Sequence, residues 1–200
     1  TLTEVAVGVG VALADANLSA WNGITQGKLV GQRFAAAGLD PAAVRWHFIG
    51  HLQSNKAKYA VRMFNLIHSV DSFKLAKALN KAARKNGKVQ AILIQVNISR
   101  EQTKSGVGET DDVALVRQIS QLENIRVNGL MTMPPFFNAP QKARPYFAAL
   151  RELRDHIKLE AISNISMDEL SMGMTGDFET AIEEGATIVR IGTAIFGDRR

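Results

Sequence analysis

The chain has no cysteine, and only two tyrosines and two tryptophans among its 200 residues. Without cysteine there is neither a disulfide scaffold nor a thiolate metal site, and a reducing cytosol suits such a chain. Long hydrophobic runs are also missing. The longest, VAVGVGVALA at 5–14, is about half the ~20 residues of a membrane span. No basic segment precedes it, and Glu4 stands where a secretory signal would carry positive charge. It therefore reads as a buried first strand, and no membrane partner is expected. No linker, low-complexity tract or composition break divides the chain, so residues 1–200 read as one domain.

Catalytic machinery is sparse as well. No carboxylate pair stands out, and no serine–histidine–aspartate order can be argued. The histidines at 47, 51, 68 and 156 show no metal-ligand spacing. A lone strand histidine reads first as a hydrogen-bonded core residue.

What is present is an ordinary globular composition, 46% hydrophobic and 22% charged, with a net charge of +5. Much of the positive charge falls in DSFKLAKALNKAARKNGK, where Lys74, Lys77, Lys81 and Lys85 recur at helical spacing opposite Leu75, Leu79 and Ala82. A polyanion-binding face is one reading. No aromatic residues interleave with the lysines as single-strand binding requires. The solvated face of an outer helix is the simpler reading, and no nucleic-acid partner is expected.

Apolar strand-like runs alternate with helix patterns. Strands are predicted at 44–50, 65–71, 88–99, 125–133, 165–173 and 187–197. Helices are predicted at 72–86, 110–123, 141–157 and 176–185, with Pro145 tolerated near a first turn. Such alternation means βαβ units and a parallel sheet. Six strands from 44 onward, with room for two more in the first 43 residues, predict a single-domain α/β fold, a (β/α)8 TIM barrel. The alternative is an open doubly wound sheet, whose glycine-rich turn is only half met by Gly8 and Gly10.

In a barrel, chemistry belongs at the C-terminal ends of the strands. Those ends carry His47, Gly50 to Asn55, His68 to Ser72, Asn97, Ser99, Met131, Met133, Ser171 to Thr175 and Arg190 to Thr193. The last two groups predict an anion site. SMGMTGD precedes a helix start, whose free N–H groups attract anions, and Thr175 can cap that helix or meet a phosphate. Gly192 allows close backbone approach, and Thr193 adds a hydroxyl. Arg190, inside the apolar strand TIVRIGT, needs a partner, because an unpaired buried charge costs several kcal/mol.

Six ordered motifs over 44–197, WHFIGHLQSNKAK, IHSVDSFKLAKALN, QVNISREQTKSG, GLMTMPP, LSMGMTGDFETAIEEG and VRIGTAIFG, resemble the YggS/PROSC family, the pyridoxal phosphate homeostasis proteins. The resemblance implies a barrel like that of alanine racemase, holding pyridoxal 5′-phosphate (PLP) without established catalysis and serving vitamin B6 balance as a carrier or buffer. It implies a cofactor site of Ser171, Thr175, Arg190, Gly192, Thr193, His47, Asn55 and Met131. Arg190 would face the pyridine nitrogen, and Ser171, Thr175, Gly192 and Thr193 the phosphate. Family members usually carry serine where this chain has Thr175. A cytoplasmic monomer, with PLP-dependent apo-enzymes as recipients, is the implied setting. The alternative is a PLP-dependent amino-acid racemase, which would need a second base. The racemases of similar fold take theirs from a second domain, and Tyr59 and Tyr146 lie in helical or loop stretches.

The resemblance stops at residue 43. The family's first strand ends in V-x-V-S-K, whose lysine forms the Schiff base, whereas here Val5–Val7 is followed by Gly8 and Val9. Where F-G-E-N is expected the chain reads TQGK, and Lys28 is its first lysine. A shifted reading frame, a member that has lost covalent binding, or an altered chain each accounts for this.

Overall fold

The β-branched run Gln90–Gln95, QAILIQ, is a strand buried at nearly every position, as expected where both faces of a parallel sheet are covered. The structure, a computed structural model, describes residues 4–7, 45–98 and 109–196. Seven strands alternate with helices in the order β1 (Glu4–Val7), β2 (His47–Phe48), α1 (Ala57–Met63), β3 (Leu66–Val70), α2 (Phe73–Lys85), β4 (Gln90–Gln95), α3 (Glu109–Ser120), β5 (Ile125–Met131), α4 (Arg144–Leu159), β6 (Ile165–Met174), α5 (Phe178–Glu183), β7 (Ile188–Ile191) and α6 (Thr193–Phe196).

All strand pairs are parallel, and the sheet order is β1-β7-β6-β5-β4-β3-β2. The α/β class and the parallel sheet agree with the sequence reading. Closure into eight strands is not seen among the described residues, and the expected second strand near residues 25–28 lies outside them.

The apolar side chains form two clusters on opposite faces of the sheet. The larger joins Ile67, Ile92, Ile94, Val127, Leu130 and Val189 of the strands to Leu75, Leu79, Val116, Phe147 and Leu150 of the helices. The smaller, Leu66, Leu93, Met131 and Ile188, takes one residue from each of four strands. Alternation along each strand sends neighbours to the two faces. Burying each of these side chains is worth about 1.5–3 kcal/mol.

Three strands fall well short of their expected bounds, and β4 keeps only Gln90–Gln95 of 88–99. β2 pairs with β3 only through His47 and Phe48, well short of 44–50. The last strand stops at Ile191, and Thr193–Phe196 turns into a helix. Short apolar runs such as TAIF do not tell strand from helix.

Local chemistry sets the helix ends. The Ser72 hydroxyl accepts from the backbone N–H of Leu75 at 3.4 Å and caps α2. Lys74, Lys77, Lys81 and Lys85 are exposed while Leu75, Leu79 and Ala82 are buried, as the outer-helix reading requires. Lys88 is different: its ammonium donates to the carbonyls of Val61 at 2.7 Å and Phe64 at 3.3 Å, closing the end of α1. At Gly129 a Cβ would lie 1.8 Å from the carbonyl oxygen of Glu169, so only glycine lets β5 and β6 approach this closely.

Candidate functional site at the ends of the strands

Arg190 leaves β7 two residues after Ile188, on the face of the smaller cluster, and is only 7% exposed. Its guanidinium donates through Nη1 to Oγ of Ser171 at 2.8 Å and through Nη2 to the carbonyl of Thr132 at 2.9 Å. Both acceptors are neutral. Burial pushes the guanidinium down to about 10, and the nearby negative charge of Asp177 works against that fall. Arg190 therefore stays cationic at neutral pH, and among the described residues no carboxylate is bonded to it.

Ser171 is fully buried on β6, where it pairs in register with Met131 of β5. Its Oγ also lies 2.8 Å from Nδ1 of His68 on β3, and His68 Nε2 lies 3.1 Å from Nδ1 of His47 on β2. The two imidazoles are tilted, with ring centroids 5.1 Å apart. His68 is fully buried, and burial holds its pKa well below the ordinary histidine value, with the charges of His47 and Arg190 acting the same way. It is neutral at pH 7. A hydrogen-bonded chain thus joins four strands: Arg190, Ser171, His68, His47.

The two predicted anion loops meet. The backbone N–H of Gly192 donates to Oγ1 of Thr175 at 3.2 Å, joining the turn after β7 to the end of β6. Thr175 does not cap the following helix. Asp177 stands at that cap position, and its Oδ1 accepts from the backbone N–H of Met174 at 2.6 Å. Gly173 makes this turn possible: its φ is +88°, and a Cβ there would fall 2.6 Å from Cβ of Ala181. Thr193 is exposed at the start of α6.

The other predicted residues divide. Met131 is fully buried beside Ser171 and packs with Leu66, Leu93 and Ile188. His47 and Asn97 are half-buried. Asn55 is exposed in the short turn Ser54–Lys56 after β2 and makes no bond to the Arg190–His47 chain. Val9, Lys28 and Ser99 lie outside the described residues. Sequence reasoning left His68 out of the cofactor site and missed Thr132. His68 carried a signal, a histidine inside the apolar strand LIHSV; Thr132 carried none, because it acts through its carbonyl. Among the described residues, no cluster of three or more histidine, aspartate or glutamate side chains could hold a metal ion. No helix among them is long and apolar enough to cross a membrane.

Known proteins resemble this chain in sequence and fold. Residues 6–200 match the family described as alanine racemase, N-terminal domain. The pyridoxal phosphate homeostasis protein of Aquifex aeolicus is 51% identical over 157 residues, covering 78% of this chain and 68% of that protein. The protein of the same name from Escherichia coli is 36% identical over 168 residues, covering 80% of this chain and 68% of that protein. Among solved structures, PipY of Synechococcus elongatus with PLP bound superposes with a TM-score of 0.73 at 34% identity, covering 84% of this chain and 76% of that one. Alanine racemase of Clostridium difficile, at 16% identity and a TM-score of 0.62, covers 84% of this chain and 43% of its own and shares the fold alone. The chain therefore belongs to the pyridoxal phosphate homeostasis proteins, within the alanine racemase N-terminal-domain family.

Proposed function

We propose that this chain binds PLP at the C-terminal ends of its strands and serves vitamin B6 homeostasis as a carrier or buffer. The observation that carries the reading is Arg190, a buried cation at the strand ends whose bonded partners are both neutral. A charge so placed gains from an electron-rich ligand, because its field is poorly screened.

The donor chemistry fits the cofactor. Thr175 Oγ1 accepts from Gly192, which leaves the hydroxyl hydrogen to be given to a phosphate oxygen. Thr193 adds an exposed hydroxyl one residue on. In this reading Thr175, Gly192 and Thr193 surround the phosphate with buried Ser171 behind them, Arg190 serves the pyridine nitrogen, and His47, Asn55 and Met131 complete the site. When bound, the cofactor supplies a reactive aldehyde and an electron-withdrawing ring. Arg190 donates a hydrogen bond and keeps its proton, so it leaves the ring uncharged and restrains electron withdrawal. Holding the cofactor suits such a site better than general amine chemistry. Ser171 and Thr132 keep the guanidinium in place.

The full architecture in this reading is a closed eight-stranded barrel, one domain over residues 1–200. It acts as a cytoplasmic monomer that hands PLP to apo-enzymes. Titration of the chain with PLP, followed by absorbance and by equilibrium dialysis, tests the reading. Saturable one-to-one binding, lost in Arg190→Glu, is the expected result. Absence of saturable binding in the folded chain overturns it.

A further inference from the structure

Four polar side chains from four strands form one hydrogen-bonded chain, Arg190 to Ser171 to His68 to His47, with links of 2.8, 2.8 and 3.1 Å. Ser171 and His68 are both fully buried, so water does not complete their bonding. The direction of every hydrogen in such a chain follows from its first member. Arginine has donors and no acceptor, so Nη1 gives a hydrogen to Ser171 Oγ. The serine hydroxyl has its own hydrogen to place. Oγ has two partners among the described residues, Arg190 Nη1 and His68 Nδ1, and only His68 Nδ1 can accept.

If His68 instead donated from Nδ1, the serine hydrogen would be buried without an acceptor, which proteins avoid. Nδ1 of His68 is therefore bare. Burial keeps this imidazole neutral, so its single hydrogen sits on Nε2 and points at His47 Nδ1, 3.1 Å away. Nδ1 of His47 must then be bare too.

We infer that His68, in the Nε2–H tautomer that Ser171 imposes, is a positioning residue that locks the Ser171 hydroxyl in the orientation that holds Arg190, with His47 accepting from its Nε2. The serine cannot turn its lone pairs away from Arg190 without losing the His68 acceptor. The imidazole cannot flip without losing both neighbours. His47, half-buried at the end of β2, is thereby linked to a guanidinium on β7. His68 touches no ligand in this scheme and acts only through Ser171. The tautomers follow whether or not PLP binds, and only the retention readout below rests on the proposed function.

The test begins with the full chain, labelled with 15N-histidine and free of cofactor. Long-range proton–nitrogen spectra at neutral pH should give His68 an unprotonated Nδ1 and a protonated Nε2. Ser171→Ala should release the tautomer toward a mixture or the reverse form. A reversed or doubly protonated His68 in the native chain overturns the inference, as does a tautomer unchanged in Ser171→Ala.

Two His68 variants separate positioning from bulk. Asparagine places an acceptor where Nδ1 stands, whereas leucine fills the space with none. PLP retention after dialysis should fall at least tenfold in His68→Leu and stay within threefold of the native chain in His68→Asn. Equal loss in both, with both folded by circular dichroism, overturns the positioning role. If neither variant folds, the native-chain spectrum still decides. Failure of PLP to bind the native chain would sink the proposed function while leaving the tautomer measurement intact.

Discussion

The backbone N–H of Gly192 donates to the side-chain oxygen of Thr175 at 3.2 Å, across 17 residues of sequence. That one bond ties the loop after β6 to the turn after β7, the two segments proposed to hold a phosphate.

Breaking this tie should weaken anion retention before it weakens the fold. Thr175→Val removes the acceptor at a cost of about 0.5–1.5 kcal/mol of stability, and PLP retention on dialysis should drop sharply. Thr175→Ser keeps the oxygen and should behave like the native chain. Thr193→Glu places a negative charge at an exposed position, so stability should move by no more than about 0.5 kcal/mol. PLP retention should be abolished, and unchanged retention would argue against the site.

Arg190→Met should separate binding from stability. Burial lowers the guanidinium from its ordinary value to about 10, a cost on the order of a few kcal/mol against the charged form. Removing the charge recovers that cost but strands the Ser171 hydroxyl and the Thr132 carbonyl as acceptors. The two effects are similar in size, so urea midpoints should shift by less than about 1 kcal/mol equivalent. PLP affinity should nevertheless collapse. A large loss of stability would make Arg190 a structural residue first.

Acid should destabilise the protein through His68. Its pKa in the fold lies well below the ordinary 6.5, so an unfolded chain takes up a proton that the fold refuses. Stability is fully present above pH 6.5. It falls below that pH with a slope approaching about 1.4 kcal/mol per pH unit, down to the depressed folded pKa. Urea unfolding between about pH 7.5 and about pH 5 should show this limb in the native chain and lose it in His68→Asn. An identical slope in both proteins would exclude His68 as the group responsible.

Covalent attachment is the sharpest test of the first 43 residues. With Val9 where relatives are expected to carry lysine, PLP should be held without a covalent bond. Borohydride treatment followed by intact-mass measurement should find no added cofactor. A shifted reading frame would instead give a labelled peptide with lysine at position 9. Labelling at Lys28 would show that the first two strands are misaligned with the family.

Much of the sheet was legible because its strands are continuous apolar runs between turn residues. QAILIQ and LIHSV leave little choice. The face of α2 was legible from lysine spacing alone. The partners of Arg190 were not. One is a main-chain carbonyl, which any residue at position 132 would provide. The other, Ser171, bonds a histidine 103 residues away, a juxtaposition that only the strand order creates. Of the two roles open to Thr175, the helix cap is not taken, for a physical reason: Asp177 occupies the cap position and bonds Met174, so the threonine faces Gly192 instead. Lys88 looked like another surface charge until α1 placed two carbonyls beside it.

The pairing of β1 with β7 has a consequence for how the protein is made. Glu4 to Val7 align with Ile188 to Ile191, so two segments far apart in the sequence dock against each other. Strands β2 to β6 can associate with neighbours as they emerge, but β1 must wait for β7. Closing a loop of that length is a late and slow event, and until then β7's place beside β1 is an open edge. Stalled synthesis short of residue 188 should therefore yield a nascent chain with β2 to β6 assembled and a loose, protease-sensitive β1.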